Sequence, residues 1–157
     1  MVSNDIQLRR YVTEDLDAVI EVFQRAIREV AARDYDPEQV AAWSKVDKRA
    51  WRSWRLTRPT WVAVLGEKIV GFSDLEADGH LDMMFVHPEH QGAGVASLLL
   101  AQVETAAREQ EIRKIFTEAS ITARPVFENR GFELEAEQQV TKRGETFVNY
   151  RMFKMLG

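Results

Sequence analysis

The amino-acid sequence predicts an α/β fold, more closely an α+β mixed sheet with helices on both faces, in the order β-α-α-β-β-β-α-β-α-β-β. Three observations predict it. Apolar and polar residues alternate in short runs near both ends of the chain, as in Ile6-Gln7-Leu8-Arg9-Arg10-Tyr11. Apolar residues recur at helical spacing through two longer stretches, 13–32 and 94–111. Between these stretches lie short β-like runs, the last of which enters a turn holding Gly92 and Gly94.

Each element has its own warrant. Ile6 to Tyr11 reads as a half-exposed first strand. Thr13 is then placed to cap a helix whose Leu16, Val19, Ile20, Phe23, Ile27 and Val30 share a face. Asp36-Pro37 restarts a second helix, Asp as cap and Pro at the first helical position, ending near Trp43. From Asp47 to Arg58 basic residues interleave with aromatics; Trp51 and Trp54, three apart, are expected to turn inward and leave the arginines solvated. Residues 61–65 and 68–72 flank Gly66-Glu67 as a hairpin. Ala77-Asp78-Gly79 makes the next turn, and His80 to Val86 the next strand. After the glycine turn a helix runs to about Glu111, with Val95, Leu98, Leu99, Val103 and Ala106 along one stripe. Ile115 to Thr117 is a short strand, Thr122 a cap for a helix from Ala123 to Asn129, and Gly131 its stop. Residues 132–136 and 146–155 pair across Arg143-Gly144 as a closing hairpin.

The 157 residues suit one domain, 1–157, with no linker, repeat or low-complexity tract. A chain with 45% hydrophobic and 29% charged residues reads as globular. The absence of cysteine excludes disulfides, thiolate nucleophiles and thiolate metal sites. No apolar leader or membrane-length apolar run occurs, so a cytoplasmic protein with no membrane partner is expected. A formal net charge of −4 argues against a nucleic-acid partner. A monomer or a homodimer is expected.

The glycine turn carries the chemistry. Strand, glycines and helix start aim several unpaired N–H groups at one point, where the helix dipole favours an anion such as a phosphate. A P-loop would need Lys-Ser/Thr after the last glycine, and Val95-Ala96 follows Gly94 instead. A dinucleotide loop would need a third glycine where Ser97 stands, after the first strand of a βαβ unit. The segment Gln91-Gly92-Ala93-Gly94-Val95-Ala96, preceded by Val86-His87-Pro88, resembles the Q/R-x-x-G-x-G/A pyrophosphate loop of the GNAT superfamily of N-acetyltransferases. A second segment, Ser120 to Phe132, resembles that family's N-x-x-A-x-x-hydrophobic-Y-x-x-x-G-F, with Ala123, Gly131 and Phe132 in register. Ser120 stands where Asn is usual and Phe127 where Tyr is common. The element order is similar to the GNAT fold over essentially the whole chain.

The resemblance implies acetyl-CoA as co-substrate and a primary amine of a small molecule or peptide as acceptor. It further implies that the strand ending at Val86 and the strand at Ile115 to Glu118 are parallel neighbours that splay apart for pantetheine. The backbone at Phe85 and Val86 would meet pantetheine, and amides from Gln91 through Gly92, Ala93, Gly94 and Val95 to Ala96 the pyrophosphate. Ser120 and Phe127 would lie along the same cofactor, with Phe127 packed beside the thioester. The N–H of Val86 would donate to the thioester carbonyl as it becomes an oxyanion. With Phe127 in place of tyrosine, the leaving thiolate takes its proton from Tyr150, Ser120 or water.

An ammonium has no lone pair, so the amine must shed a proton. By period-two alternation His80 and Asp82 share a strand face, with Asp82 placed to bind a cation and His80, pKa ~6.5 if unperturbed, to accept the proton. Their structural alternative is a strand-end histidine and a surface ion pair; Glu76, Glu118 and Tyr35 are further candidates. His80, His87 and His90 do not have metal-ligand spacing, so no metal is expected. Two other functions fit less of the chain: a non-catalytic acyl-CoA sensor, suggested by Phe127, and a nucleotide-dependent oxidoreductase, opposed by the hairpins before the glycines. Acceptor choice is expected to lie in residues 33–58.

Overall fold

The alternating first run forms β1 (Ile6–Arg10), and the chain continues through α1 (Leu16–Glu29), α2 (Pro37–Trp43), α3 (Lys48–Thr57), β2 (Thr60–Leu65), β3 (Lys68–Asp74) and β4 (Met84–Val86). Then come α4 (Val95–Glu109), β5 (Lys114–Ser120), α5 (Arg124–Asn129), β6 (Glu133–Lys142) and β7 (Glu145–Met155). This computed structural model describes residues 5–157. The order matches expectation apart from α3, which turns the Asp47–Arg58 stretch into a helix of its own.

The strands form two antiparallel sheets, β1-β2-β3-β4 and β5-β7-β6, rather than one mixed sheet. Among the described residues they meet at a single parallel bridge, His80 to Phe116, where the Leu81 N–H donates to the Phe116 carbonyl at 2.9 Å. The buried Thr117 hydroxyl donates to the Leu81 carbonyl at 2.8 Å. Beyond that point β4 and β5 diverge. The strand expected from His80 is thereby reduced to Met84–Val86. The cause is Asp74, whose Oδ1 accepts both the Asp82 and the Met83 N–H at 2.9 Å and so replaces a strand partner with a carboxylate.

Helices cover both faces of the first sheet. Val19, Val22, Phe23 and Ile27 of α1 pack with Val62 and Phe72, while Val95 and Leu99 of α4 pack with Ala63 and Val70 on the opposite face. Gly71 permits the close approach of α4: a Cβ there would lie 2.8 Å from Val95 Cγ1 and 3.2 Å from Leu99 Cδ1.

Several local expectations change. Thr13 does not cap α1; Thr13–Asp15 is a 3-10 turn, and the buried Asp15 carboxylate takes the Val12 N–H at 2.9 Å and Arg9 at 2.7 Å. Asp36 caps α2 as expected, accepting from the Gln39 N–H at 2.8 Å. In α3, Trp51 turns inward, but Trp54 is 38% exposed, with the Arg58 guanidinium 5.8 Å from its ring. Arg55, one turn beyond Trp51, is the inward residue instead, and pairs with Asp74 at 2.9 Å with both side chains fully buried. Helical spacing of four places Arg55 on the Trp51 face more squarely than Trp54. At α5 the Thr122 hydroxyl donates to Asp34 rather than capping, and Ser120 Oγ accepts the Ala123 N–H at 3.0 Å.

Candidate active site

Gly92 and Gly94 adopt φ of +78° and +85°, the left-handed region that favours glycine, and Gly94 is the residue from which α4 starts. The first backbone bond of that helix start runs from the Leu98 N–H to the Gly94 carbonyl at 3.1 Å. The N–H groups of Val95, Ala96 and Ser97 therefore have no intrahelical acceptor and sit at the positive end of the helix dipole. Gln91 ties this loop to β4, its side-chain amide donating to the Val86 carbonyl at 2.8 Å.

The bonding phase of β4 decides which backbone groups are free. The His87 N–H donates to Val70 at 2.8 Å, and the Asp74 N–H to Met83 at 3.1 Å. With Phe72 opposite Phe85, antiparallel alternation turns the Phe85 amide and carbonyl toward β3. The corresponding groups of Met84 and Val86 face the gap between the sheets. The Val86 N–H is thus available as expected. The Phe85 backbone is not, and only its ring reaches the site.

Two cavities open in this gap. A narrow groove of about 100 Å³ runs between β4, the start of α4 and the end of β5, past Val86, Gln91, Ala96, Ser120, Ala123 and Val126. A larger cavity of about 500 Å³ is walled by α1, α2, α3 and the β6–β7 hairpin. Trp43, Phe85 and Ser120 line both, so the two volumes meet there.

Phe127 and Tyr150 lie outside both cavities. Phe127 is buried in the core, its ring centroid 5.1 Å from that of Phe132; Val126 takes the groove position. A ring with no polar atom gains most by burial, and one residue along a helix is a turn of about 100°. Tyr150 follows Asn149 on β7, so strand alternation sends the two side chains to opposite faces; Asn149 lines the large cavity. The Tyr150 ring lies beneath Arg124, 4.5 Å from its guanidinium, and is not among the residues lining either space.

The expected base is also altered. His80 Nδ1 lies 2.8 Å from Glu76 and Nε2 2.7 Å from Glu118. Its pKa is raised to about 9, chiefly by the hydrogen bond to Glu118 and in spite of burial. At neutral pH the ring is an imidazolium that donates from both nitrogens and cannot accept a proton. Asp82 faces the large cavity but holds Arg58 at 2.7 Å. Glu76, His80 and Asp82 bring donor atoms within 4.8 Å of one another, yet Arg58 lies 3.5 Å from Glu76 as well, where a metal cation would have to compete. Tyr35 is committed too: its hydroxyl donates to the Val148 carbonyl at 2.7 Å and accepts from the Ile121 N–H at 3.0 Å. Glu118, a lesser candidate in the sequence, is the carboxylate at the cavity wall that a protonated histidine orients.

The fold agrees with comparisons to known proteins. Residues 31–154 match the family model described as an acetyltransferase (GNAT) domain. The chain belongs to the GNAT acetyltransferase family. It is 36% identical over 149 residues to the uncharacterized N-acetyltransferase YafP of Escherichia coli (strain K12), covering 95% of each chain. A GCN5-related N-acetyltransferase from Rhodopseudomonas palustris superposes with a TM-score of 0.95 at 30% identity, covering 99% of both chains. PaiA N-acetyltransferase from Thermoplasma acidophilum, solved in complex with coenzyme A, has the same fold, with a TM-score of 0.81 at 19% identity over 96% of this chain and 99% of that one. As a GNAT enzyme the chain is an acetyl-CoA-dependent acetyltransferase. No described helix is long and apolar enough to cross a membrane.

Residues 33–58 supply Tyr35, Trp43, Lys45, Asp47, Trp51 and Trp54 to the lining of the large cavity. Sequence reasoning missed Phe23, Phe147 and Asn149. Phe23 carries only an ordinary core signal, and nothing local marks a hairpin residue as a cavity wall.

Proposed function

We propose that this GNAT enzyme transfers the acetyl group of acetyl-CoA to a primary amine of a small molecule or peptide, by direct attack in a ternary complex. The observation that carries this reading is the meeting of the two cavities at Phe85 and Ser120, beside a backbone N–H with no strand partner. The groove takes the pantetheine arm, whose amides pair with Met84 and Val86 like an added strand. The amides from Gly92 to Ser97 take the pyrophosphate. The Val86 N–H donates to the thioester carbonyl as negative charge grows on it, an effect typically worth about 3 kcal/mol.

The acceptor enters through the large cavity. Its nitrogen lone pair forms the C–N bond, and collapse of the tetrahedral intermediate breaks the C–S bond with the electron pair leaving on sulfur. The proton lost from nitrogen passes to the Glu118 carboxylate, directly or through one water, and a proton from solvent ends on the thiolate. His80 holds Glu118 in place and does not itself accept the proton. The chain has no cysteine, so an acetyl-thiol intermediate on the enzyme is excluded. Because acetyl-CoA is a cytoplasmic metabolite, we assign the reaction to the cytoplasm.

Initial rates with both substrates varied, over a broad panel of amines, test this reading. Intersecting double-reciprocal lines are expected; parallel lines would sink the ternary complex. With the best acceptor, Glu118→Gln should lower kcat/KM by about 10²-fold or more with acetyl-CoA affinity unchanged. Wild-type rates in that variant would move the proton acceptor elsewhere.

A further inference from the structure

The wall of the large cavity is a chain of rings. Phe23 touches Phe85 with centroids 4.9 Å apart, Trp43 lies 6.3 Å from Phe85 and 6.2 Å from Phe147, and Trp51 packs on Phe23 at 4.7 Å. Trp54 stands half-exposed on the same lining. Such a wall accepts a flat apolar body and favours edge-to-face contacts with it.

The charges on this lining do not suit a cationic guest. Its three carboxylates are all engaged: Asp47 caps α3 through the Arg49 and Ala50 N–H groups, Asp82 holds Arg58, and Glu118 holds His80. Lys45, Lys142 and Arg143 add positive charge to the same lining. Among the fully buried side-chain atoms of this lining, one has no hydrogen-bond partner. Asn149 Oδ1 is buried without a hydrogen-bond partner, and Asn149 lies directly across the β5–β7 ladder from Ser120, where the two cavities meet. A buried amide oxygen with no donor is costly, and an N–H that meets it once the Asn149 side chain turns toward the cavity satisfies it without any need for positive charge.

Given acetyl transfer as assigned above, we propose that the acceptor is an arylamine, its ring held against Phe23, Trp43, Phe85 and Phe147 and its NH₂ aimed at the thioester by Asn149 Oδ1. The nitrogen of an arylamine shares its lone pair with the ring and is uncharged at neutral pH, whereas a lysine-like amine, pKa ~10.4, is an ammonium. An arylamine therefore reaches the thioester already able to attack. It releases a proton only after the C–N bond has formed, when its nitrogen is strongly acidic and Glu118 suffices as acceptor. The protonated state of His80 is then no obstacle.

Aniline, cyclohexylamine and benzylamine, compared at neutral pH with saturating acetyl-CoA, provide the test. Aniline and cyclohexylamine match in size and differ in charge. The expected result is a kcat/KM for aniline about tenfold or more above both others. Equal or faster transfer to cyclohexylamine or benzylamine overturns the arylamine assignment and leaves acetyl transfer standing. If none of the three is acetylated, the assignment also falls, and acetyl transfer falls with it only if the broad amine panel releases no CoA either. Asn149→Ala should cut kcat/KM for aniline about tenfold with an unchanged acetyl-CoA Kd, which also reports an intact fold. Asn149→Asp, a change of similar shape, should shift preference toward benzylamine by adding a carboxylate. Wild-type rates and preference in both variants would remove Asn149 from the site.

Discussion

At the scale of single residues, placement between partners overrides residue type. His80 has the residue type of a base near neutral pH, but two carboxylates within 2.8 Å raise it to about 9 and make it a cation at neutral pH. A folded-state pKa above the unfolded value of ~6.5 means that the imidazolium stabilises the fold fully below that pH. The contribution declines as pH rises and is gone above about 9. Thermal midpoints measured across this range should fall more for the wild type than for His80→Gln. Parallel profiles for the two proteins would show that His80 is not held charged. Phe127 is a second case. Because it is buried against Phe132, Phe127→Tyr should not supply a proton to the leaving thiolate. It should instead cost about 1–3 kcal/mol in denaturant unfolding, from a hydroxyl placed in an apolar core. A variant with higher activity and wild-type stability would put that ring back at the thioester.

At the scale of elements, the start of α4 separates two effects of one charge. Ala96 lies in the first turn of α4 and lines the narrow groove beside β4. A carboxylate near a helix N-terminus favours the helix by about 0.3–1 kcal/mol. The same carboxylate beside a bound pyrophosphate repels it, by as much as about 4 kcal/mol for charges 4 Å apart near a protein surface. Ala96→Asp should therefore keep or raise the thermal midpoint while weakening acetyl-CoA binding by at least about tenfold, read by calorimetry. An unchanged Kd would show that the pyrophosphate lies elsewhere. This test is cleaner than replacing Gly94, whose φ of +85° makes any side chain a strain on the helix start itself.

Over the whole molecule, the two sheets, which meet at the His80–Phe116 bridge, leave a gap beside β4. Acetyl-CoA at about a hundred times its Kd should stabilise the fold by about 2.7 kcal/mol. Amide exchange should slow at Met84, Val86 and the Gly92–Ser97 loop, but not at Phe85, which β3 already holds. Protection spread evenly along β4 would contradict this bonding phase. The sequence by itself determined the family, most of the element order and the glycine turn before α4, because each depends on signals that lie close together. Examples are period-two strands, the Asp36-Pro37 helix start, and Gly92 and Gly94 before α4. It also singled out residues 33–58, which line much of the large cavity. Only the tertiary structure decided the charge of His80, which depends on Glu118, 38 positions away, and the burial of Arg55 against Asp74. It alone brought Phe23, Trp43 and Asn149 from α1, α2 and β7 around one cavity. Periodicity reports which face of an element is buried. The pKa of a group and the shape of a cavity depend on what distant segments bring to that face, and no local pattern encodes them.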